Sequence, residues 1–184
     1  MRTVDDIAAL RKGDPIAQEH FLRRHAPSLF ATILRMVNNV QDAEELTQDT
    51  LIKALDNIDR YKPGIASLDT WLTRIAYNTA ANHLREAPPP LMFVADVDEQ
   101  AEAYSDTAME ELFRQSDDDA IQQLSNAIGQ LTTIEQTLIA LFYYDDRTIQ
   151  EIAYITGMQP STIGTRLHRI RRKLYHLITN NHQS

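Results

Sequence analysis

No other stretch restricts the fold as tightly as residues 148–178, TIQEIAYITGMQPSTIGTRLHRIRRKLYHLI. Thr148 with Glu151 three residues on forms a capping box, which predicts a helix start there. Ile149, Ile152 and Ala153 give that helix an apolar face. Gly157 stands where a left-handed residue would end it, and Pro160 suits the first turn of a second helix. Ile163, Leu167, Ile170, Leu174 and Ile178 then recur at helical spacing as a stripe to be buried. At about 100° per residue, the opposite face carries Ser161, Thr165, His168, Arg169 and Arg172. A basic helix presented by a shorter one is how a helix-turn-helix enters a major groove. A basic, solvated terminal helix packed on an interaction domain fits the same residues.

The net charge of −8 argues against nucleic-acid binding only until it is divided along the chain. Residues 96–119 hold ten acids and one arginine, whereas residues 160–184 hold five bases and no acid. Distribution, not total, decides electrostatic binding to DNA. The 184 residues suffice for one or two domains. With no cysteine there is neither a disulfide framework nor a thiolate metal site. No apolar run reaches membrane-spanning length and the first residues lack a signal peptide's apolar segment, so a cytoplasmic protein without direct membrane insertion is expected.

The remaining periodicity is helical. Asp14-Pro15 predicts a helix to about residue 25, Pro27 starts another, and Asn38-Asn39 breaks it. Asp42 with Glu45 caps a helix over 42–57, residues 58–67 with Pro63-Gly64 form a loop, and a helix over 67–85 stops at three prolines. Residues 91–119 read as an acidic linker with a helix around 107–115. Helices resume at about residue 120, over 132–144 behind a Thr132/Glu135 capping box, then over 148–156 and 160–178. No strand pattern appears. The expected fold is all-α: two small helical domains, 1–90 and 120–184, joined by an acidic linker, the second a helix-turn-helix.

Two further faces carry binding chemistry. On the helix over 67–85, Leu72, Ala76, Ala80 and Leu84 share one side, while Trp71, Arg74, Asn78, Asn82 and Arg85 share the other. Arginines neutralise phosphates, asparagines bond base edges and an aromatic can stack on an unpaired base, although a lone tryptophan is more often a core anchor. On the helix over 42–57, Ala43, Leu51, Ala54, Leu55 and Ile58 form the inner side. Asp42, Glu45, Gln48, Asp49 and Ile52 lie outward, either as a docking surface with an apolar centre and acidic rim or as a solvated acidic face. Enzyme signatures are missing: five glycines build no phosphate loop, His20 and His25 are misplaced for one helical face, and Asp145-Asp146 suits local turn capping. No metal or cofactor is expected.

Three stretches, FLRRHAPSLFATILRMV, DAEELTQDTLIKAL and YKPGIASLDTWLTRIAYNTAANHLR, resemble the N-terminal domain of bacterial RNA polymerase sigma factors of the extracytoplasmic-function group. LTTIEQTLIALFYYDDRTIQEIAYITG and PSTIGTRLHRIRRKL resemble the C-terminal domain of that group, in matching order and separation. The resemblance implies a sigma factor that binds core RNA polymerase, through its β′ clamp helices and β flap, and directs promoter recognition, melting and initiation. It assigns Asp42, Glu45, Gln48, Asp49 and Ile52 to polymerase binding. Lys62, Ile65, Ser67, Trp71, Arg74, Asn78, Asn82 and Arg85 would read the minus-ten element, the loop at 62–67 capturing a flipped base. Ser161, Thr162, Thr165, Arg166, His168, Arg169 and Arg172 would read the minus-thirty-five element. An anti-sigma partner is implied, and the acidic linker would thread the polymerase cleft. Two positions depart from the group's pattern: Asn82 stands where many members have aspartate, and Gly164 where many have a base. The residues of 148–178 alone also permit a dimeric helix-turn-helix regulator acting on duplex DNA without polymerase.

Overall fold

A computed structural model describes residues 6–86 and 118–180, and the regular elements among them are all helical. In chain order they are α1 (Ile7–Arg11), α2 (Pro15–Val37), α3 (Val40–Asp56), a 3-10 turn (Ile58–Arg60) and α4 (Leu68–Glu86). After the undescribed segment come α5 (Asp118–Gly129), α6 (Thr133–Ile139) with a π turn (Ala140–Tyr144), α7 (Ile149–Thr156) and α8 (Pro160–Asn180). The expected linker and its helix near 107–115 lie outside the described residues, except that 118 and 119 open α5.

Local chemistry sets most helix ends. The Asp14 carboxylate accepts the Ala17 N–H at 2.8 Å ahead of Pro15, starting α2. Asn38, at φ 51°, takes the left-handed C-cap position that ends α2. Asn39, and not Asp42 as expected, caps α3: its side chain accepts the Asp42 N–H at 3.1 Å. Pro27 does not begin a new helix either; α2 runs through it for 23 residues. An interior proline costs about 3 kcal/mol. Phe21, His25, Leu29 and Ile33 are buried on one continuous side spanning Pro27, and that packing outweighs the lost backbone bond.

Two apolar cores result. The first gathers Phe21, Leu29, Ile33, Ala43, Leu51, Leu72 and Ala76 from α2, α3 and α4. Threonines buried in it satisfy their hydroxyls on carbonyls four residues back, Thr47 to Ala43 at 2.6 Å and Thr50 to Leu46 at 2.7 Å. The second core joins Leu138, Leu141, Ile152 and Ile155 to the α8 stripe Ile163, Leu167, Ile170, Leu174 and Ile178, every member of which is buried as the spacing predicts. The cores touch along α4, where Tyr77 packs against both. No helix among the described residues is long and apolar enough to cross a membrane.

Candidate nucleic-acid interface

Ser67 starts α4: its Oγ accepts the Thr70 N–H at 3.1 Å and its carbonyl accepts that of Trp71 at 3.0 Å. The helix then turns Leu72, Ala76 and Ala80 fully inward. Arg74, Asn78, Asn82 and Arg85 are exposed along the other side, with Arg85 Nη2 donating to Asn82 Oδ1 at 3.0 Å. Upstream, Lys62, Ile65 and Ser67 are exposed on the loop, which a bond from the Ile65 N–H to the Lys62 carbonyl at 3.0 Å tightens into a turn. Ile65 is 65% exposed, an apolar side chain that the loop leaves in solvent.

Trp71 departs from the helical-wheel expectation. It is only 9% exposed and packs against Tyr61 at 5.4 Å between ring centroids, so it anchors the loop to the first core instead of standing on the exposed stripe. Leu84, one turn beyond Ala80, is half-buried and lines the cleft between the domains.

On α3, Glu45, Gln48, Asp49 and Ile52 share an exposed face, Ile52 at 57% exposure. Asp42 is half-buried at its edge, 3.5 Å from His83 Nε2 on α4. On the helix-turn-helix, Thr148 and Glu151 complete the reciprocal capping box, and Gly157 ends α7 at φ 76°, a conformation costing other residues about 1–2 kcal/mol. Ser161, Thr162, Thr165, Arg166 and Arg169 are exposed on α8, while His168 and Arg172 are half-buried. Three faces are therefore present: an acidic one with an apolar centre, one mixing bases and amides, and one basic.

The domains also grip each other through groups that no local pattern pairs. The π turn widens the end of α6, with the Asp145 N–H bonding the Ala140 carbonyl at 3.0 Å, and Asp146 follows at φ 51°. That excursion aims Asp145 and Arg147 at the first domain. Asp145 was expected to cap its own turn; instead it accepts Arg35 Nη1 at 2.9 Å and Thr32 Oγ1 at 3.0 Å. Arg147, with a side chain 14% exposed, is ion-paired to Asp69 and donates to Thr73 Oγ1 at 3.2 Å and Thr70 Oγ1 at 3.4 Å. Thr70 Oγ1 donates to Glu151 Oε1 at 2.8 Å, closing the network. Arginine stacking adds to it: Arg35 lies 5.1 Å from the Tyr144 ring and Arg74 4.7 Å from that of Tyr154. Burial alone would push the Glu151 carboxyl up, but the Thr148 N–H, the Thr70 and Thr148 hydroxyls and the Arg147 charge together hold it below the ordinary range. Burial pushes the Tyr77 hydroxyl up against the opposing charge of Arg166 on α8. Beside this seam Met36, Tyr77, Leu84, Ile134, Leu138 and Met158 line a cleft of about 270 Å³. One signal in the sequence marks the seam: Arg147 is the only Lys or Arg between residues 115 and 165.

Comparison with known proteins accounts for both domains. Residues 21–87 match the family described as Sigma-70 region 2, and residues 121–174 match Sigma-70, region 4. The chain is 31% identical over 176 residues to the ECF RNA polymerase sigma factor SigW of Bacillus subtilis, covering 91% of this chain and 92% of that protein. It is also 31% identical over 170 residues to the RNA polymerase sigma factor CarQ of Myxococcus xanthus, again covering 91% and 92%. Among solved structures, CnrH in complex with the cytosolic domain of CnrY aligns with a TM-score of 0.64 at 20% identity, over 95% of each chain. The sigma factor RpoE of Bartonella quintana, in complex with the anti-sigma factor NepR, aligns at 0.61 and 23% identity, over 88% of this chain and 96% of that one. At those identities the structural likeness speaks for the fold.

Proposed function

The chain belongs to the extracytoplasmic-function RNA polymerase sigma factors, and from that premise we propose how its surfaces divide the work of initiation. A sigma factor is an initiation factor that directs promoter recognition by RNA polymerase, and the partners of this chain are core polymerase and promoter DNA. In our reading residues 1–90 form the unit that docks on polymerase and reads the minus-ten element, residues 120–184 read the minus-thirty-five element, and 91–119 tether them.

The observation that carries this division is the pair of exposed polar faces on separate cores, Arg74, Asn78, Asn82 and Arg85 on α4 and Thr165, Arg166 and Arg169 on α8. The first mixes phosphate-neutralising arginines with amides able to bond base edges, beside a loop exposing Lys62 and Ile65; this suits single-stranded DNA being held open. The second is a basic helix face suited to a major groove. On α3, Ile52 ringed by Glu45, Gln48 and Asp49 suits the clamp helices of the polymerase β′ subunit. Trp71 acts in this scheme by fixing the loop through Tyr61 and not by touching a base.

By analogy with RpoE, whose partner NepR is an anti-sigma factor, an anti-sigma protein holds this chain until a signal releases it, and the chain works in the cytoplasm. A dimeric regulator acting without polymerase is not favoured, because it leaves the region 2 match at 21–87 without a role. Run-off transcription from a promoter library, with purified chain and core polymerase, tests the reading. Discrete promoter-directed transcripts that require the chain are expected; transcripts unaffected by it would overturn the assignment.

A further inference from the structure

We propose that the cleft between α4 and α6 is a binding site for a small amphipathic acid, an unbranched chain of about ten carbons ending in a carboxylate. The proposal stands on the chemistry of the cleft itself and does not depend on how the DNA faces are assigned.

The lining selects hydrocarbon. Along α4, Tyr77, Ala81 and Arg85 recur every four residues and all border the cleft, Ala81 offering only a methyl between two long side chains. Ile134 and Leu138 of α6, Met36 of α2 and Met158 after α7 supply most of the remaining apolar surface. The threonine hydroxyls of the wall are spent inside their own helices. Thr137 Oγ1 donates to the Thr133 carbonyl and Thr156 Oγ1 to that of Ile152, each at 2.7 Å. A site of that kind rewards an apolar body and penalises a sugar or a nucleotide, whose polar groups would find few partners.

Charge fixes the headgroup. Arg85 is the one charged side chain in the lining, and among the described residues no acid borders the cleft. Arg85 is exposed; among the described residues it donates to Asn82 Oδ1 and pairs with no carboxylate. Its remaining N–H donors suit a carboxylate, which a guanidinium takes through two parallel bonds. Arg166 lies near enough to Tyr77 for its charge to act on that hydroxyl, so the surroundings favour an anion along the whole row. Size and shape set the chain. A closed apolar cavity of about 150 Å³ takes benzene, so this cleft, at about 270 Å³, takes nearly twice as many carbons. Tyr77 and Arg85 stand about 12 Å apart along α4 at about 1.5 Å per residue, which suits an extended chain better than a ring.

Titration calorimetry of the full chain with sodium decanoate tests the site. One-to-one binding with a Kd below about 1 mM is expected. Arg85→Gln is expected to weaken it about tenfold, and Arg85→Lys, which keeps the charge, to retain most of it. Ile134→Asp, at a wall position 47% exposed, is expected to abolish it. Thermal unfolding checks that each variant folds, and should Ile134→Asp not fold, Ala81→Met, which fills the space between Tyr77 and Arg85, provides the same readout. Equal affinity of the wild type and Arg85→Gln overturns the carboxylate assignment. Binding of several molecules per chain, or unchanged binding by the wall variants, overturns the cleft as the site. Binding seen only on dilution, or only once residues 91–94 (LMFV) are replaced by serines, would show the cleft covered by a second copy or by the chain itself, and overturns the proposal as well.

Discussion

Replacing Glu151 with glutamine isolates a carboxylate that serves both helix capping and domain contact. It accepts the Thr148 N–H and Oγ1 at 2.9 Å each and Thr70 Oγ1 at 2.8 Å, and it lies 3.7 Å from Arg147 Nη1. Glutamine preserves the shape but offers a single acceptor oxygen, so one of these bonds is lost together with the negative charge at the start of α7. A hydrogen bond to a charged group contributes about 1.5–3 kcal/mol, and a negative charge at a helix N-terminus about 0.3–1 kcal/mol. The side chain is 34% exposed, so solvent screening places the sum toward the low end, about 2 kcal/mol at neutral pH. The sign with pH follows from the depressed carboxyl. Its folded-state value lies below the ordinary 4.5, so its stabilisation is fully present above 4.5 and is lost as pH falls through the folded value. Urea unfolding at pH 7, 5, 4 and 3 should show the deficit of Glu151→Gln near 2 kcal/mol at the first two values and shrinking at the last two. A deficit that stays constant down to pH 3 would refute the assignment of the effect to the ionised carboxylate.

Other consequences are more quickly checked. Gly164→Ala should stabilise the C-terminal domain by about 0.5–1 kcal/mol in thermal unfolding, because glycine weakens a helix interior and an added Cβ meets nothing within 4 Å. Ile52→Asp should weaken binding to core polymerase by about 2 kcal/mol in fluorescence titration, yet leave the unfolding midpoint unchanged, since the side chain is 57% exposed. Arg169→Ala should weaken minus-thirty-five binding by about 1–3 kcal/mol if it reads a base; equal loss on random duplex would restrict it to a phosphate contact. Exchanging the acids of 96–119 for serine and glutamine should alter the yield of abortive transcripts, and an unaltered yield would remove the linker from the initiation path.

Short-range chemistry was the legible part of this chain. Thr148/Glu151 and Thr132/Glu135 are capping boxes as their spacing requires, Gly157 ends α7, and the α8 stripe from Ile163 to Ile178 is buried throughout. Errors arose where a distant contact overrode a local preference. Pro27 sits inside α2 because the packed side of that helix spans it, and Asn39 displaces Asp42 as the cap because Asn38 has already turned the chain. The wheel could place Trp71 beside Arg74 and Asn78 but could not foresee Tyr61, whose ring draws the indole inward. The pairing between the domains was barely legible for a related reason: Arg147 stands alone as a base between residues 115 and 165, but its partners Asp69 and Thr73 lie far off in sequence, and the π turn brings it onto α4. A surface is readable from one helix; a contact between domains depends on two helices and their relative placement.

The claim beneath all of this is that α4 holds melted promoter DNA while α8 holds duplex upstream. Permanganate reactivity of minus-ten thymines, in complexes of core polymerase with wild type or with Asn78→Ala/Asn82→Ala, tests it most directly. The account predicts that the double variant still protects the minus-thirty-five duplex but leaves the minus-ten thymines unreactive. Full reactivity with both asparagines removed would contradict it.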